Sequence, residues 1–340
     1  MSSYLNGHQK RPGSIPGALG GRWRGVVFFR LEKKRAADRW VTALREPDGT
    51  LSSSPSDLCA SFVTFYASLF SASSTDSRVQ DSLLANISSF LSPNQASQCE
   101  GLLTLGECHS ALLGMARCKA PGSDGLPIEF YIHFWEVLGQ DLVDVLNACY
   151  ASGSLSLSQR RGIISLVFKR GDRLDASNWR PITQLNADYK LAPRVLESRL
   201  LKVIHVVVSN DETCEVPGRF IGENDALRTD IVDYINFSNV HAAVLSLDQE
   251  KAFDTVDWSF MPVSKAFLSM GLRRPFSPIS QYADDTSLIV NYDDATLVVF
   301  DTYSGFKAAS GTKLNDFKSK VLWLGAWNNR RDPGSARMDL

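Results

Sequence analysis

Ser246-Leu247-Asp248-Gln249-Glu250-Lys251-Ala252-Phe253-Asp254 and Gln281-Tyr282-Ala283-Asp284-Asp285-Thr286-Ser287-Leu288-Ile289-Val290 are the two stretches that decide the fold. In the first, the apolar run 241–247 reads as a strand that ends in a carboxylate, Asp248, with an aromatic, Phe253, five residues later. In the second, adjacent carboxylates sit where a hairpin turns, and the run 286–290 leaves it as another strand. Adjacent Asp residues repel each other, so a tight turn holding Asp284 and Asp285 costs energy unless cations neutralise them. Two magnesium ions about 3.5–4 Å apart would do so, and would also activate a hydroxyl nucleophile and stabilise a leaving pyrophosphate. Asp-Asp is also a common surface turn, and Asp293-Asp294 reads as one. The weight of the second stretch comes from the strand–carboxylate–aromatic element that precedes it.

Outward from these stretches the chain alternates helical and extended patterns. Leu58, Phe62, Phe65 and Leu69 share a helical face, and Phe130, Phe134, Val137, Leu138, Leu142, Val145 and Cys149 predict one long amphipathic helix. The run 163–168 predicts a buried strand, and 169–180 a polar, turn-rich link. Helical spacing returns over Leu191, Val195, Leu196, Leu200 and Ile204, with Pro193 expected in the first turn or else breaking the helix. Further helices are expected around Leu227, Ile231 and Ile235 and around Leu297, Phe300 and Phe306, the latter closing near Gly311, and a last short strand over 321–324. The architecture expected is α+β, with helical segments packed on a small antiparallel sheet built from 241–247, 286–290 and 321–324.

Composition is that of an ordinary globular chain: 340 residues, 44% hydrophobic, 21% charged, net charge −1. No run approaches the roughly 20 apolar residues of a membrane span, and the start of the chain does not read as a secretory signal. The six cysteines form no CxxC pair, which argues against a zinc module and for reduced thiols in an intracellular protein, nuclear or cytoplasmic. Charge is unevenly spread. Residues 22–45 carry eight Lys/Arg against two Asp/Glu, 160–219 carry eleven against seven, and 246–301 carry four against nine. Basic stretches leading to an acidic one suit a protein that grips phosphates and holds cations at its centre, although solvated surfaces fluctuate in the same way.

The motifs together resemble the reverse transcriptases of LINE-type (non-LTR) retrotransposons. Tyr282-Ala283-Asp284-Asp285 resembles motif C, and Asp248 to Trp258, with its Asp-Gln-Glu-Lys-Ala-Phe-Asp-x-Val-Asp-Trp form, resembles motif A. Lys119 to Leu126 (Lys-Ala-Pro-Gly-Ser-Asp-Gly-Leu) resembles the opening fingers motif, Asn178-Trp179-Arg180-Pro181-Ile182 the next one, and Pro217-Gly218-Arg219 the motif before the palm. Ser310 to Asn315 with Lys318-Ser319 resembles motif D, Leu322-Trp323-Leu324-Gly325 the strand after it, and Phe29 to Arg35 the segment ahead of the polymerase. Several motifs in the right order, over roughly 28–326, make coincidence an inadequate explanation.

The resemblance implies a right-hand polymerase with fingers over 107–222 and a partial, incomplete palm over 223–326. A disordered segment would span 1–27, a helical extension 28–106 and a disordered tail 327–340. Asp248, Asp284 and Asp285 would be the catalytic, magnesium-binding carboxylates. Lys169 and Arg180 would clamp the triphosphate, Tyr282 would lie in the nucleotide site, and Phe253 would be the steric gate against ribonucleotides, or equally a core aromatic. Lys313 or Lys318 would protonate the departing pyrophosphate, Arg219 would touch template or nucleotide, and Asp254 would be a cap or surface charge. The implied cofactor is Mg2+, two ions; the implied partners are an RNA template, a DNA primer and deoxynucleoside triphosphates, with no membrane.

The pattern also departs from the family. Asp248 and Asp284 are 36 residues apart, where the family has several dozen more residues, including motif B. Only Arg273-Arg274-Pro275-Phe276-Ser277-Pro278 stands there, and two prolines three apart preclude a long helix. Phe168 replaces a usual proline, Glu212 a usual Gln, Cys214-Glu215 a usual Gly-Phe, and Pro193 falls in a helix the family keeps intact. No thumb and no endonuclease are expected. The readings that follow are an RNA-directed DNA polymerase by descent whose activity is absent or very low; a non-catalytic nucleic-acid-binding relic; and, far behind, an unrelated metal enzyme.

Overall fold

A computed structural model describes residues 40–71, 74–85, 90–257, 260, 277–283, 285–291, 295–315 and 317–328. The basic run 22–39, the expected disordered start, the end of the tail, Asp284, Asp293-Asp294 and Arg273 to Phe276 lie outside the described residues. So do the side chains of Phe253, Leu297 and Phe300. The chain divides into two compact units, Met1–Val63 with Ser165–Ile182, and Thr64–Ile164 with Thr183–Leu340.

In the first unit, β1 (Leu44–Arg45) and β2 (Leu51–Ser52) pair antiparallel. The Asp48 carboxylate accepts from the Thr50 amide (2.9 Å) and hydroxyl (2.6 Å), fixing the turn between them. Helix α1 (Pro55–Leu69) follows, with Phe62 buried edge-on against Trp179 at 6.4 Å. The apolar run at 163–168 is strand β3 (Gly162–Phe168), paired with β4 (Trp179–Leu185) in a two-stranded sheet. The expectation that it is buried is wrong: Ile163, Ile164 and Val167 are 47%, 57% and 53% exposed. A sheet of two strands, with no third among the described residues, leaves apolar side chains in solvent even where the run is continuous.

The second unit takes in the last residues of α1 and then α2 (Ser77–Ala85), α3 (Pro93–Cys99) and α4 (Leu105–Leu113). The single long helix expected over 130–149 is instead two, α5 (Ile128–His133) and α6 (Trp135–Ser152), separated at Phe134, whose φ of −101° and ψ of +17° leave the helical region. Helix α7 (Ala187–Leu200) carries Pro193 in its interior, so the proline neither starts nor breaks it; the helix begins four residues earlier than the apolar spacing suggested. Leu112, Trp135, Val143, Leu146, Leu191 and Val195 are buried together in the core of this helical layer. Short α8 (Ile204–Val207) and α9 (Ile221–Ser238) lead to the sheet.

That sheet contains β5 (Ala242–Asp248), β6 (Ser277–Tyr282), β7 (Asp285–Val290) and β8 (Lys320–Leu324), all antiparallel, in the order β6-β7-β5-β8. The short α10 (Ala252–Thr255) and the longer α11 (Ala295–Ser310) connect them. Three strands match the expected α+β sheet; β6 was not foreseen. It lies at an edge, and its pairing with β7 is irregular between Ser277 and Ile279, bracketing Pro278, which is where a residue without an N–H is tolerated.

Strand alternation separates two apolar layers. Ala243, Leu245, Leu247, Leu288 and Val290 pack on Val299, Tyr303, Phe306 and Ala309 of α11. Ala242, Val244, Ile289 and Leu324 pack on Ile235 of α9, with Ile231 and Val232 partly buried beside it. The first layer also takes in α2: Val79 and Leu83 join it, the Asp76 amide donates to the Ala308 carbonyl (2.8 Å), and the Gln80 side-chain amide to the Ala309 carbonyl (2.8 Å). These two bonds satisfy carbonyls at the end of α11 that have no partner within the helix.

Arg199 is the most heavily bonded side chain of the helical layer. It donates to both Glu107 oxygens (2.7 and 2.8 Å) and to the carbonyls of Glu100 (3.2 Å), Gly101 (2.9 Å) and Leu102 (2.8 Å). Glu107 in turn closes a capping box with Thr104. The Arg199 guanidinium holds the Glu107 carboxyl down to about 2 from an ordinary 4.5. Replacing Arg199, itself buried, by Met leaves the half-buried Glu107 carboxylate and three carbonyls without this donor, and we expect a loss of about 1–3 kcal/mol in urea unfolding at neutral pH. A folded pKa below the unfolded one adds stability above pH 4.5 that is lost as pH falls toward 2. Glu107→Gln should therefore flatten the acid limb of the wild-type stability curve in that window.

Candidate active site on the β5–β7 sheet

The sheet register decides which carboxylates meet. Asp248, the last residue of β5, is paired directly opposite Asp285, the first of β7. Opposed residues of an antiparallel pair project on one face. By alternation this is the face that α9 covers at the Ala242–Val244 end. At the carboxylate end the face opens: Ser246 and Asp285 are exposed, and Lys320, paired with Ser246, is exposed too.

The β6–β7 hairpin closes through two residues, since Tyr282 pairs with Asp285. Ala283 takes φ +55°, the left-handed conformation favoured by two-residue hairpins and costly for a residue with a Cβ. The turn is braced from outside by residues 211–214. The Gln281 amide donates to the Asp211 carbonyl (2.9 Å), and the Thr213 amide to the Gln281 carbonyl (3.2 Å). A Glu212 carboxylate oxygen accepts from the amides of Cys214 (2.6 Å) and Ala283 (3.4 Å). Tyr282 is 40% exposed, and the neighbouring Cys214, by charge and by hydrogen bond, pushes its phenol above the ordinary tyrosine range.

Asp248 already has a cation. Lys318 Nζ lies 2.8 Å from Oδ1 and 2.6 Å from Oδ2 of Asp248. The turn that carries the lysine is fastened to the same residue at both backbone ends. The Asp248 amide donates to Ser319 Oγ (3.2 Å), and the Asn315 amide donates to the Asp248 carbonyl (2.8 Å). Lys318 and Ser319 both donate their amides back to the Asn315 carbonyl. Of the two lysines the sequence left open, Lys318 is therefore the one placed at the carboxylate. Lys313 is exposed, and its carbonyl accepts from the Glu250 amide (2.8 Å).

The other expected site residues fall as follows. Lys169 and Arg180 belong to the first unit and are exposed, on the β3–β4 segment. Phe253 is in α10, which Lys251 enters with φ +48°; the Lys251 ammonium sits 4.5 Å from the Phe65 ring. Asp254 lies in the first turn of α10 and is not its cap. Arg219 does not reach outward as expected. It donates to the carbonyls of Ser209, Glu212 (2.6 Å) and Val208 (3.2 Å) and to the Asn210 side chain (3.3 Å), so it ties together the loop that braces the hairpin. Sequence reasoning missed Glu212 as a brace and Asn315 and Ser319 as anchors. Short polar residues flanking a motif lysine were the only signal.

Two motif glycines have steric reasons. A Cβ on Gly122 would stand 2.2 Å from Asn186 Oδ1 and 2.5 Å from the Asn186 amide nitrogen, and one on Gly325 2.1 Å from the Val240 carbonyl oxygen. Asn178 and Trp179 act within their own loop, donating to the carbonyls of Asp172 (3.0 Å) and Arg173 (3.0 Å).

Asp284, one of the three carboxylates expected to hold magnesium, lies outside the described residues. Both oxygens of Asp248 are committed to Lys318, and among the described residues no group of three His, Cys, Asp or Glu side chains converges. Among the described residues, too, no helix is long and apolar enough to cross a membrane.

No family model matches the chain. Over 234 residues, 69% of its length, it is 37% identical to the transposon TX1 uncharacterized 149 kDa protein of Xenopus laevis, of which it covers 18%. Over 154 residues, 45% of its length, it is 28% identical to the retrovirus-related Pol polyprotein from type-1 retrotransposable element R2 of Popillia japonica, of which it covers 20%. The chain thus spans about a fifth of the length of these curated relatives.

The strain at Ala283 is testable. Ala283→Gly removes the Cβ penalty at a cost in unfolded-state entropy and should be neutral to stabilising by up to about 1 kcal/mol. Ala283→Val should destabilise by about 1–2 kcal/mol. Thermal melts of the two variants against the parent check the order.

Proposed function

We propose, from the premise that the chain is a non-LTR retrotransposon reverse transcriptase-like protein, that residues 107–222 are its fingers and 223–326 a partial palm, and that it makes little or no DNA itself. The observation that carries the reading is the pairing of Asp248 with Asp285 beside a two-residue hairpin. This is the layout that brings a motif A carboxylate to a motif C turn. The ancestral activity is RNA-directed DNA synthesis from an RNA template, a DNA primer and deoxynucleoside triphosphates. By resemblance, Asp248, Asp284 and Asp285 are the carboxylates that held magnesium, Lys169, Arg180 and Tyr282 the nucleotide contacts, and Phe253 the sugar gate.

Two observations support the loss of activity. The interval of 36 residues between Asp248 and Asp284 is too short for the helix and loop that support a templating base pair in the family. The Asp248 oxygens face an internal ammonium. Catalysis by positioning is unforgiving, with a misplacement of about 1 Å costing roughly a hundredfold. In primer extension on an RNA template with Mg2+, we expect no synthesis that distinguishes the parent from Asp284→Asn or Asp285→Asn. Synthesis lost in either variant would overturn the reading.

Nucleic-acid binding without catalysis is the second reading, favoured by the exposure of Lys169, Arg170 and Arg180 on one loop-and-strand segment. Phosphate contacts release counterions, so affinity should fall linearly on a log–log plot against salt, by about 0.7 per phosphate neutralised on single-stranded RNA. Fluorescence anisotropy should show that slope reduced in Lys169→Ala/Arg180→Ala. An unchanged slope removes these residues from the interface.

A further inference from the structure

We infer that Lys318 is a tethered cation standing in the place of a divalent ion at Asp248, so that the carboxylate accepts one or the other and never both. The inference rests on the reading of Asp248 as a metal-binding carboxylate by descent, and it adds what that reading does not contain: an internal competitor for the site.

Three features carry it. The contact is two-pronged, with one ammonium at hydrogen-bonding distance from both oxygens, 2.8 and 2.6 Å. No Asp248 oxygen is then left to a second cation without bringing it against the first. The Asp248 side chain is 17% exposed and that of Lys318 38%, so the pair is screened less than a surface ion pair. The lysine is also held close by its backbone. Ser319 Oγ and the Asn315 amide bind the Asp248 main chain on either side, and Lys320, two residues on, is already in β8, paired with Ser246. The turn cannot swing away without breaking the β5–β8 ladder. Release of Asp248 therefore takes a rotation of the lysine side chain alone.

An intramolecular ammonium on such a tether acts at a high effective concentration, millimolar or above for short connections. That is the range in which magnesium is ordinarily supplied, so Lys318 competes with the ion on equal terms. The neighbouring charges set the same balance. Asp285 lies opposite Asp248 in the register, and a like charge there is destabilising unless it is offset. The ammonium offsets it without a metal.

The test uses the full chain with no nucleotide or nucleic acid present. Mn2+ is titrated in and free ion is read by electron paramagnetic resonance, for the parent, Lys318→Met, Lys318→Arg and Lys318→Met/Asp248→Asn. The parent and Lys318→Arg should bind weakly and alike. Lys318→Met should bind on the order of tenfold more tightly, the effect of removing one charge at this range, and Asp248→Asn should abolish the gain. If Lys318→Met does not fold, Lys318→Gln replaces it with the same expectation. Equal Mn2+ affinity in the parent and the uncharged variant overturns the inference, as does a gain that survives Asp248→Asn. The readout is metal binding and not DNA synthesis, so failure here is distinguishable from failure of the proposed function.

Discussion

Strand β5 is the constraint on which the second unit depends. It is hydrogen-bonded on both sides, to β7 and β8, and covered on both faces, by α11 and α9. Ala242 to Leu245 are all buried, at 0–7% exposure, so the strand cannot shift by one residue without exchanging its two apolar layers. Such a slip would also put Leu247 where Asp248 stands. The position of one carboxylate at the end of the strand is thus fixed by apolar residues as far back as Ala242, and with it the pairing to Asp285 on one neighbour and the reach of Lys318 beyond the other.

That fixed register creates an electrostatic problem which the neighbouring structure resolves locally. Two carboxylates opposed across an antiparallel pair repel, and the hairpin beside them holds Ala283 in a conformation that disfavours a side chain. The answer on the β8 side is the turn 315–319, which binds Asp248 by main chain and side chain together. The answer on the β6 side is the loop 208–219. It extends the sheet edge by an isolated parallel bridge from Glu212 to Gln281 and is itself gathered by the Arg219 guanidinium. The loop also leaves less of the edge strand free for another chain to pair with, a role edge strands commonly require.

Three strands of the sheet, central β5 and β7 and edge β8, were legible in the sequence because they are apolar runs of the right length. The stretches 241–247, 286–290 and 321–324 are mostly apolar and are followed or preceded by charges or turn formers. What was not legible depended on context. Pro275 and Pro278 argued against a long helix and gave no sign of a strand, yet an edge strand with an irregular pairing has a place for Pro278. Pro193 was expected in the first turn because the apolar spacing began at Leu191, whereas α7 starts at Ala187, which is buried in the core of the helical layer. The apolar run at 163–168 was read as buried because continuous hydrophobicity is compatible with burial, but composition does not say whether a second layer exists. Arg219 was read as a contact to template or nucleotide, and an arginine's five donors suit backbone carbonyls equally well. The choice between Lys313 and Lys318 was beyond sequence reasoning for a plainer reason. Asp248 and Lys318 are 70 residues apart, and only the turn at Asn315 decides which lysine points back at the strand.

The residues that stabilise this sheet are distinct from the charged residues at its open end, so the sheet can persist whatever becomes of those charges. The residues that fix β5 are aliphatic and aromatic, from α2, α9, α11 and the neighbouring strands. Asp248, Asp285 and Lys318 lie at the open end of one face, outside both apolar layers. A carboxylate there that had relied on a metal would become a source of repulsion once the rest of the metal site decayed. An ion pair to a lysine removes that dependence. It costs the side-chain entropy of one lysine, up to about 2 kcal/mol, and it neutralises the strand end at any magnesium concentration. The contact that neutralises the end of β5 is therefore also the one that any other cation approaching both Asp248 oxygens would have to displace.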